Sequence, residues 1–308
     1  MCVTALVAWV AGSALGTIGA VPPASAQAGL VIGKAHAGYA PSFTGDKPIV
    51  LLVVGSGARL GDDVEHSLAD SIHVVSINPE RHKATIIGIP RDAWVEIPGG
   101  GTTKINASLV QGGPELLVQT VESISGLKID YYALTTFWGM TQLYDNLGGL
   151  TMDIPFSMQD PLSGSDFEPG VQMLDGKQVL AFSRDRHSMS SGDFARQENG
   201  GRVLVATLAE FRKEFQADQS SLFAWIASGM RNVQTTVPFD EVILLAYTCS
   251  HINPKGVTNV VLPGTTGFQG NLSVVNLLSD KDAIFADVKT DGILSKKNLP
   301  PSPTENET

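Results

Sequence analysis

An uninterrupted apolar run, Ile49-Val50-Leu51-Leu52-Val53-Val54, is preceded by Pro48 and ended by Gly55-Ser56-Gly57. An unbroken run closed by glycine predicts a strand buried on both faces. Ser71–Ile77 gives a second strand, stopped by Asn78-Pro79, and Ala84–Ile89 a third, stopped by Pro90. The short Asn-Pro-Glu-Arg-His link between the last two predicts a hairpin. Helical spacing follows. Pro114 opens a helix behind Gly112-Gly113, with Leu117, Val121 and Ile124 as its apolar stripe. Phe137–Leu147 is another helix, closed by Gly148-Gly149. Leu204, Leu208, Phe211 and Phe215 make 201–216 an amphipathic helix, and that stripe reads as core. Leu222–Met230 and Phe239–Tyr247 are two more helices, and Asn259–Leu262 is a late strand. Strands and helices are mixed throughout, which predicts a layered α/β domain.

The ends differ from this pattern. Residues 1–33 carry no charged side chain; Val3–Ala20 is apolar and small, and Val21-Pro22-Pro23 then leads into Ala24-Ser25-Ala26. Residues 1–28 are therefore expected to be an export signal or, if uncleaved, a single membrane anchor. Residues 29–47, rich in Ala, Gly and Pro, read as a linker, 48–292 as the folded domain, and the polar, Pro-rich 293–308 as a disordered tail. The net charge of −10 excludes general nucleic-acid binding, which needs a basic face. Cys2 falls in the export segment and Cys249 after an apolar run, as a buried small hydrophobe; no disulfide framework or Cys-based metal site follows. The six histidines form no H-x-x-x-H pair, which argues against zinc.

Charge is sparse, yet Arg184, Arg186, Arg196 and Arg202 fall close together, interspersed with Asp185 and Asp193. The guanidinium fork matches phosphate oxygens two at a time, so the cluster points to a phosphate or pyrophosphate site. A salt-bridged loop, with Asp185 and Asp193 as partners, is the alternative. Upstream, Ile89-Pro90-Arg91-Asp92 ends a strand, where ligands sit in α/β sheets. Lys104 follows the glycine loop Gly99-Gly100-Gly101 and completes a plausible anion cage. Gly55–Gly61 has the wrong spacing for a dinucleotide loop, and Ser125-Gly126-Leu127-Lys128 lacks the companion motifs of a serine acyl-enzyme.

Taken in order, several blocks resemble the LytR-CpsA-Psr family. They are Ala69-Asp70-Ser71-Ile72, Ile89-Pro90-Arg91-Asp92, Lys104-Ile105-Asn106-Ala107 with Gly112-Gly113, and Asp145-Asn146-Leu147-Gly148-Gly149-Leu150. Gly170 with Leu174-Asp175-Gly176, Arg184-Asp185-Arg186-His187 and Gly192-Asp193-Phe194-Ala195-Arg196 complete the series. The resemblance implies a single α-β-α layered sandwich with a central mixed sheet and a long apolar lipid tunnel. It implies an enzyme outside the cytoplasmic membrane, anchored at its outer face or secreted into the cell wall. Such an enzyme moves a glycopolymer, as a sugar phosphate, from a polyprenyl pyrophosphate carrier to a peptidoglycan hydroxyl. Mg²⁺ or Mn²⁺ would bridge the pyrophosphate. By motif position Arg91, Lys104, Arg184, Arg186 and Arg196 would hold the phosphates, with Arg202 in the same cluster. Asp70 would ligate the metal, and Asp92 would orient an arginine or help deprotonate the acceptor. Three positions depart from the pattern: Gly57 where the family has Asp, Leu68 where it has Arg, and Gly200 where Gln is frequent. They motivate a second reading, a lipid-phosphate binding protein with impaired catalysis; a third is a polyprenyl pyrophosphate phosphatase, with water as acceptor in the same site.

Overall fold

The computed structural model describes residues 29–59, 61–230 and 233–304; the expected export segment, residues 1–28, lies outside them. Strands β1 (Leu30–Lys34), β2 (Ile49–Ser56), β3 (Ala69–Asn78) and β4 (Lys83–Gly88) come first. A hairpin of β5 (Trp94–Ile97) and β6 (Gly101–Lys104) leads to α1 (Ala107–Ser125), β7 (Tyr131–Thr136) and α2 (Phe137–Asn146). Short strands β8 (Leu150–Ile154), β9 (Met158–Asp160), β10 (Ser165–Phe167) and β11 (Gly170–Leu174) precede α3 (Gly176–Arg184) and α4 (Asp193–Ala217). The chain continues through α5 (Ser221–Met230), β12 (Val233–Thr235), α6 (Phe239–His251) and β13 (Val257–Val261). The β14 (Gly264–Gln269) and β15 (Leu272–Leu277) hairpin and α7 (Asp280–Asp291) follow.

Seven strands form one mixed sheet in the order β12-β1-β7-β2-β3-β4-β13. β2 pairs antiparallel with β3 and parallel with β7, and β3 and β4 form the expected hairpin. The period of two sorts the side chains. Leu52, Val54, Ile72 and Val74 pack with Leu117 and Val121 of α1 and Ile284, Phe285 and Val288 of α7. Leu51, Val53, Val75 and Ile77 face the other way, towards α4, α5 and α6. Helices thus cover both faces of the sheet, giving the expected α-β-α sandwich. A further cluster, with Tyr144, Met152, Phe156 and Phe182, joins the small hairpins to α2 and α3. No helix among the described residues is long and apolar enough to cross a membrane.

Several expectations need correction. The expected linker contains β1, which lies inside the sheet between β7 and β12. Its Val31 is buried, so the sheet begins well before Pro48. The first helix starts at Ala107, one stretch ahead of Pro114, with non-helical Gly112 and Gly113 breaking it. Gly113 has φ +66°, a conformation that glycine alone adopts at little cost. The helix expected over 201–216 begins at Asp193. Residues 293–304, expected to be disordered, pack on the domain, with Leu294 and Thr304 buried. Cys249 is partly buried among apolar neighbours, and burial pushes its thiol up to about 12.

Asp130, at the start of β7, is buried and accepts a 2.8 Å hydrogen bond from the Val50 amide. Burial raises its carboxyl from an ordinary 3.8 to about 6, even though that bond opposes the shift. A raised folded-state value favours the protonated form in the fold. This contribution is fully present below about pH 3.8 and is lost as pH rises through 6. Asp130→Asn keeps an acceptor for Val50 and removes the charge. It is expected to raise stability at pH 7 by on the order of 2 kcal/mol and to gain little at pH 4. Thermal melts at the two pH values check this.

Candidate active site: an arginine-lined cavity opening onto an apolar chamber

A cavity of about 300 Å³ opens where β2, β3, α2, α3 and α4 meet. Its polar wall carries Asp70, Ser71, Arg91, Arg184, Arg186 and Arg196. Each is placed by a local device. Arg91 follows Ile89-Pro90, just beyond the end of β4, and its Nη1 binds Asp70 Oδ1. Arg184 closes α3, whose start is fixed by a capping box between Asp175 and Gln178. Its guanidinium lies 4.5 Å from the centroid of the Phe137 ring. Arg196 sits near the start of α4, 2.5 Å from Asp193 Oδ1, and donates at 2.8 Å to the Asp70 carbonyl. Asp193 also lies 3.9 Å from Arg91 Nε, so it couples two arginines from distant parts of the chain.

Asp185, between the two arginines of the 184–186 block, has a different job from the pairing expected. It is fully buried and accepts from Ser165 Oγ, from the Ser188 amide at 3.1 Å and from Ser188 Oγ at 2.8 Å. That network fixes the loop that presents Arg186. Asp160 and His187 pair beside it at 2.9 Å.

Two of the remaining expected residues sit next to this group and one is elsewhere. Lys104 Nζ binds Asp92 Oδ1 at 2.8 Å; neither residue lines the cavity. Arg202 is not brought to the site. Its Nη2 reaches Glu198 at 3.1 Å and Thr304 Oγ1 at 2.8 Å. Glu198 also accepts from Ser302 Oγ at 2.7 Å and from the Thr304 hydroxyl at 2.9 Å, so Arg202 belongs to the anchor of the C-terminal segment.

The structure explains the glycine at position 200. A Cβ there would lie 2.7 Å from His73 Cε1, so the imidazole already fills that space. At Gly201 a Cβ would lie 1.9 Å from Asn259 Oδ1. The two glycines let side chains of the sheet reach the backbone of α4: His73 Nε2 contacts the Gln197 carbonyl at 2.8 Å, and Asn259 Nδ2 donates to Glu198 O at 2.9 Å. Burial pushes the His73 imidazole down to about 4, so the ring is neutral at ordinary pH.

Val53 and Leu204 line both this cavity and a second chamber of about 350 Å³ next to it. Its walls are almost wholly apolar, with Val75 and Ile77 of β3, Phe211 of α4 and Trp225 of α5. A charged head site thus adjoins an apolar chamber between sheet and helices.

A family model described as the LytR_cpsA_psr family matches residues 27–288. The chain belongs to this family. A relative in Corynebacterium glutamicum, "Probable cell wall biosynthesis protein LcpB", is 38% identical over 157 residues, 47% of this chain and 37% of its own length. The teichoic acid transferase TagU of Enterococcus faecalis is 31% identical over 206 residues, 65% of each chain. The first of the curated relatives are matched over only about 37–53% of their length. The fold is also that of YwtF (TagT) with bound octaprenyl pyrophosphate lipid: TM-score 0.59, 20% identity, 82% of this chain and 90% of that one.

For a divalent cation the donor set is narrow. Among the described residues no three His, Cys, Asp or Glu side chains form a metal cluster. A Cβ at Gly57 would lie 2.8 Å from Asp70 Oδ2, so position 57 adjoins that carboxylate and offers it only open backbone. Mg²⁺ is commonly held by one or two carboxylates, with phosphate oxygens and water completing the octahedron. Asp70 fits an ion carried in with a phosphate ligand; it does not make a cage that would hold Mg²⁺ alone.

Proposed function

We propose that this LytR-CpsA-Psr protein is a phosphotransferase of the cell envelope. It would pass a glycopolymer, as a sugar phosphate, from a polyprenyl pyrophosphate carrier to a hydroxyl of peptidoglycan outside the cytoplasmic membrane. The observation that carries the reading is the adjacency of a head cavity lined by four arginines and an apolar chamber, which share Val53 and Leu204 as walls. Polar head and apolar tail then have adjoining compartments. Relatives named polyisoprenyl-teichoic acid–peptidoglycan transferases support the substrate class.

Phosphoryl transfer asks mainly for positioning and charge neutralisation. Arg91, Arg184, Arg186 and Arg196 would hold the non-bridging oxygens. The acceptor hydroxyl would attack the phosphorus that bears the sugar, the bond to the prenyl phosphate would break, and the hydroxyl proton would pass to the departing prenyl phosphate or to solvent. Asp193 keeps Arg196 and Arg91 together, and Asp92 holds Lys104 close by. Mg²⁺, when bound through Asp70, would supply further neutralisation of the pyrophosphate.

One observation favours a second reading. The open backbone at Gly57 beside Asp70 weakens the metal half of the site, which suits a lipid-phosphate binder with little turnover. Titrating the full chain with a polyprenyl pyrophosphate, with Mg²⁺ and then with chelator, tests both. Binding strengthened by Mg²⁺, with transfer to a glycan acceptor, is the expected result. Tight binding indifferent to Mg²⁺ and without transfer would favour the binder, and no binding would overturn both.

A further inference from the structure

The strand that carries Asp70 brings a second oxygen to the cavity. Ser71 faces Gly55 and Ala69 faces Ser56, so β3 bulges at Asp70. A bulge breaks the alternation of faces and re-aims side chains. Asp70 and Ser71, although adjacent in sequence, both line the cavity.

The direction of the Ser71 hydroxyl follows from a chain of hydrogen bonds. The Gln197 carbonyl can only accept, so His73 Nε2, 2.8 Å away, carries the proton. With the single proton of this buried ring placed on Nε2, Nδ1 is bare, and Ser71 Oγ, at 3.1 Å, donates to it. The lone pairs of Ser71 are left for the cavity. In a cavity lined by arginine donors, an oxygen set to accept is suited to an arginine N–H, a cation or the water of a cation, not to a phosphate oxygen.

We propose that Ser71, oriented by His73, is a cation ligand beside Asp70, and that it stands in for the carboxylate absent at Gly57. This rests on the reading of the cavity as a pyrophosphate site. A serine or threonine hydroxyl serves Mg²⁺ in this way in phosphate-binding loops. A histidine that fixes the lone-pair direction of a ligand acts as outer-shell groups do in metal sites. His73 is a positioning residue, and the room it occupies is the room left by Gly200. The same cavity carries four arginines, which oppose a bare cation. The cation is therefore taken only with an anion that offsets them.

Mn²⁺ binding to the full chain, read by electron paramagnetic resonance with and without inorganic pyrophosphate, tests this without reference to turnover. Mn²⁺ alone should leave the spectrum of the free ion unchanged, and pyrophosphate should create a protein-bound signal. Ser71→Ala and His73→Phe should each weaken Mn²⁺ in that complex roughly 10- to 100-fold. Gly57→Asp should tighten Mn²⁺ and abolish the dependence on Ser71. Binding of pyrophosphate in chelator should be the same for wild type and Ser71→Ala, which a general loss of structure would not allow. Equal Mn²⁺ affinity in wild type and Ser71→Ala, with pyrophosphate bound to both, overturns the assignment of Ser71 alone. A wild-type chain that takes no pyrophosphate under any condition overturns the phosphate reading and this proposal together.

Discussion

Replacing Arg186 by alanine is expected to lower transfer from a lipid-linked donor by at least about 100-fold, with the melting temperature unmoved within roughly 2 °C. The rate effect follows from the chemistry. Removing one preorganised donor at a site of developing charge typically costs about 100- to 1,000-fold. The small effect on stability follows from the surroundings. Arg186 is exposed at the cavity, and no carboxylate lies within ion-pair distance of it among the described residues. The loop that presents it is held by buried Asp185 and by the Asp160–His187 pair, which the substitution leaves intact. Transfer kinetics together with a thermal melt decide the matter. Activity within tenfold of wild type would remove Arg186 from the reacting head group. A fall of many degrees would show that it serves the fold.

The second large effect is expected at the junction of the two cavities. Leu204→Trp places an indole where the head cavity meets the apolar chamber. The added bulk occupies space that a prenyl chain must cross, so affinity for a long-chain prenyl pyrophosphate should fall by about 100-fold or more. A chain excluded from the chamber forfeits about 0.8 kcal/mol for each buried methylene. Inorganic pyrophosphate, which needs only the head site, should bind as it does to wild type. The cost in stability should stay within about 1–3 kcal/mol, because the side chain enters a cavity. Calorimetric titration with both ligands separates the outcomes. Equal loss for both would mean that the head site itself was disturbed, and no loss for the lipid would place the tail elsewhere.

Much of the fold was legible because period and punctuation coincide. β2, β3 and β4 are apolar runs ended by glycine or proline, and the stripe of Leu204, Leu208, Phe211 and Phe215 belongs to α4. The arginine blocks announced four of the cavity residues. What was missed has physical reasons. β1 is five residues long, and its neighbours in sequence are Ala, Gly and Pro, so composition hid a strand that only pairing on both edges stabilises. The strands β8–β11 are too short for a stripe, and β14, as long as β4, is mostly glycine and polar residues. The C-terminal segment is polar, yet buried Glu198 supplies the acceptors that order it. Arg202 joined the expected site through proximity in sequence. Six positions from Arg196 on one helix, it points roughly 120° away around the axis. His73 was unreadable alone, because its meaning lies in a carbonyl 124 residues further on and in the glycine that makes room for the ring.

The placement of β1 has a mechanical consequence. A pull on the chain ahead of Leu30 does not peel a free end from the edge of the sheet. It loads antiparallel bonds to β7 and parallel bonds to β12 together, along the strand direction. In that shear geometry the ladder must break as a unit, and the load is shared with β7 and, through it, with β2. Resistance to extraction is then governed by the unfolding barrier of the whole sheet. A domain tethered through its N-terminal side would hold its head site in shape while the tether carries the tension.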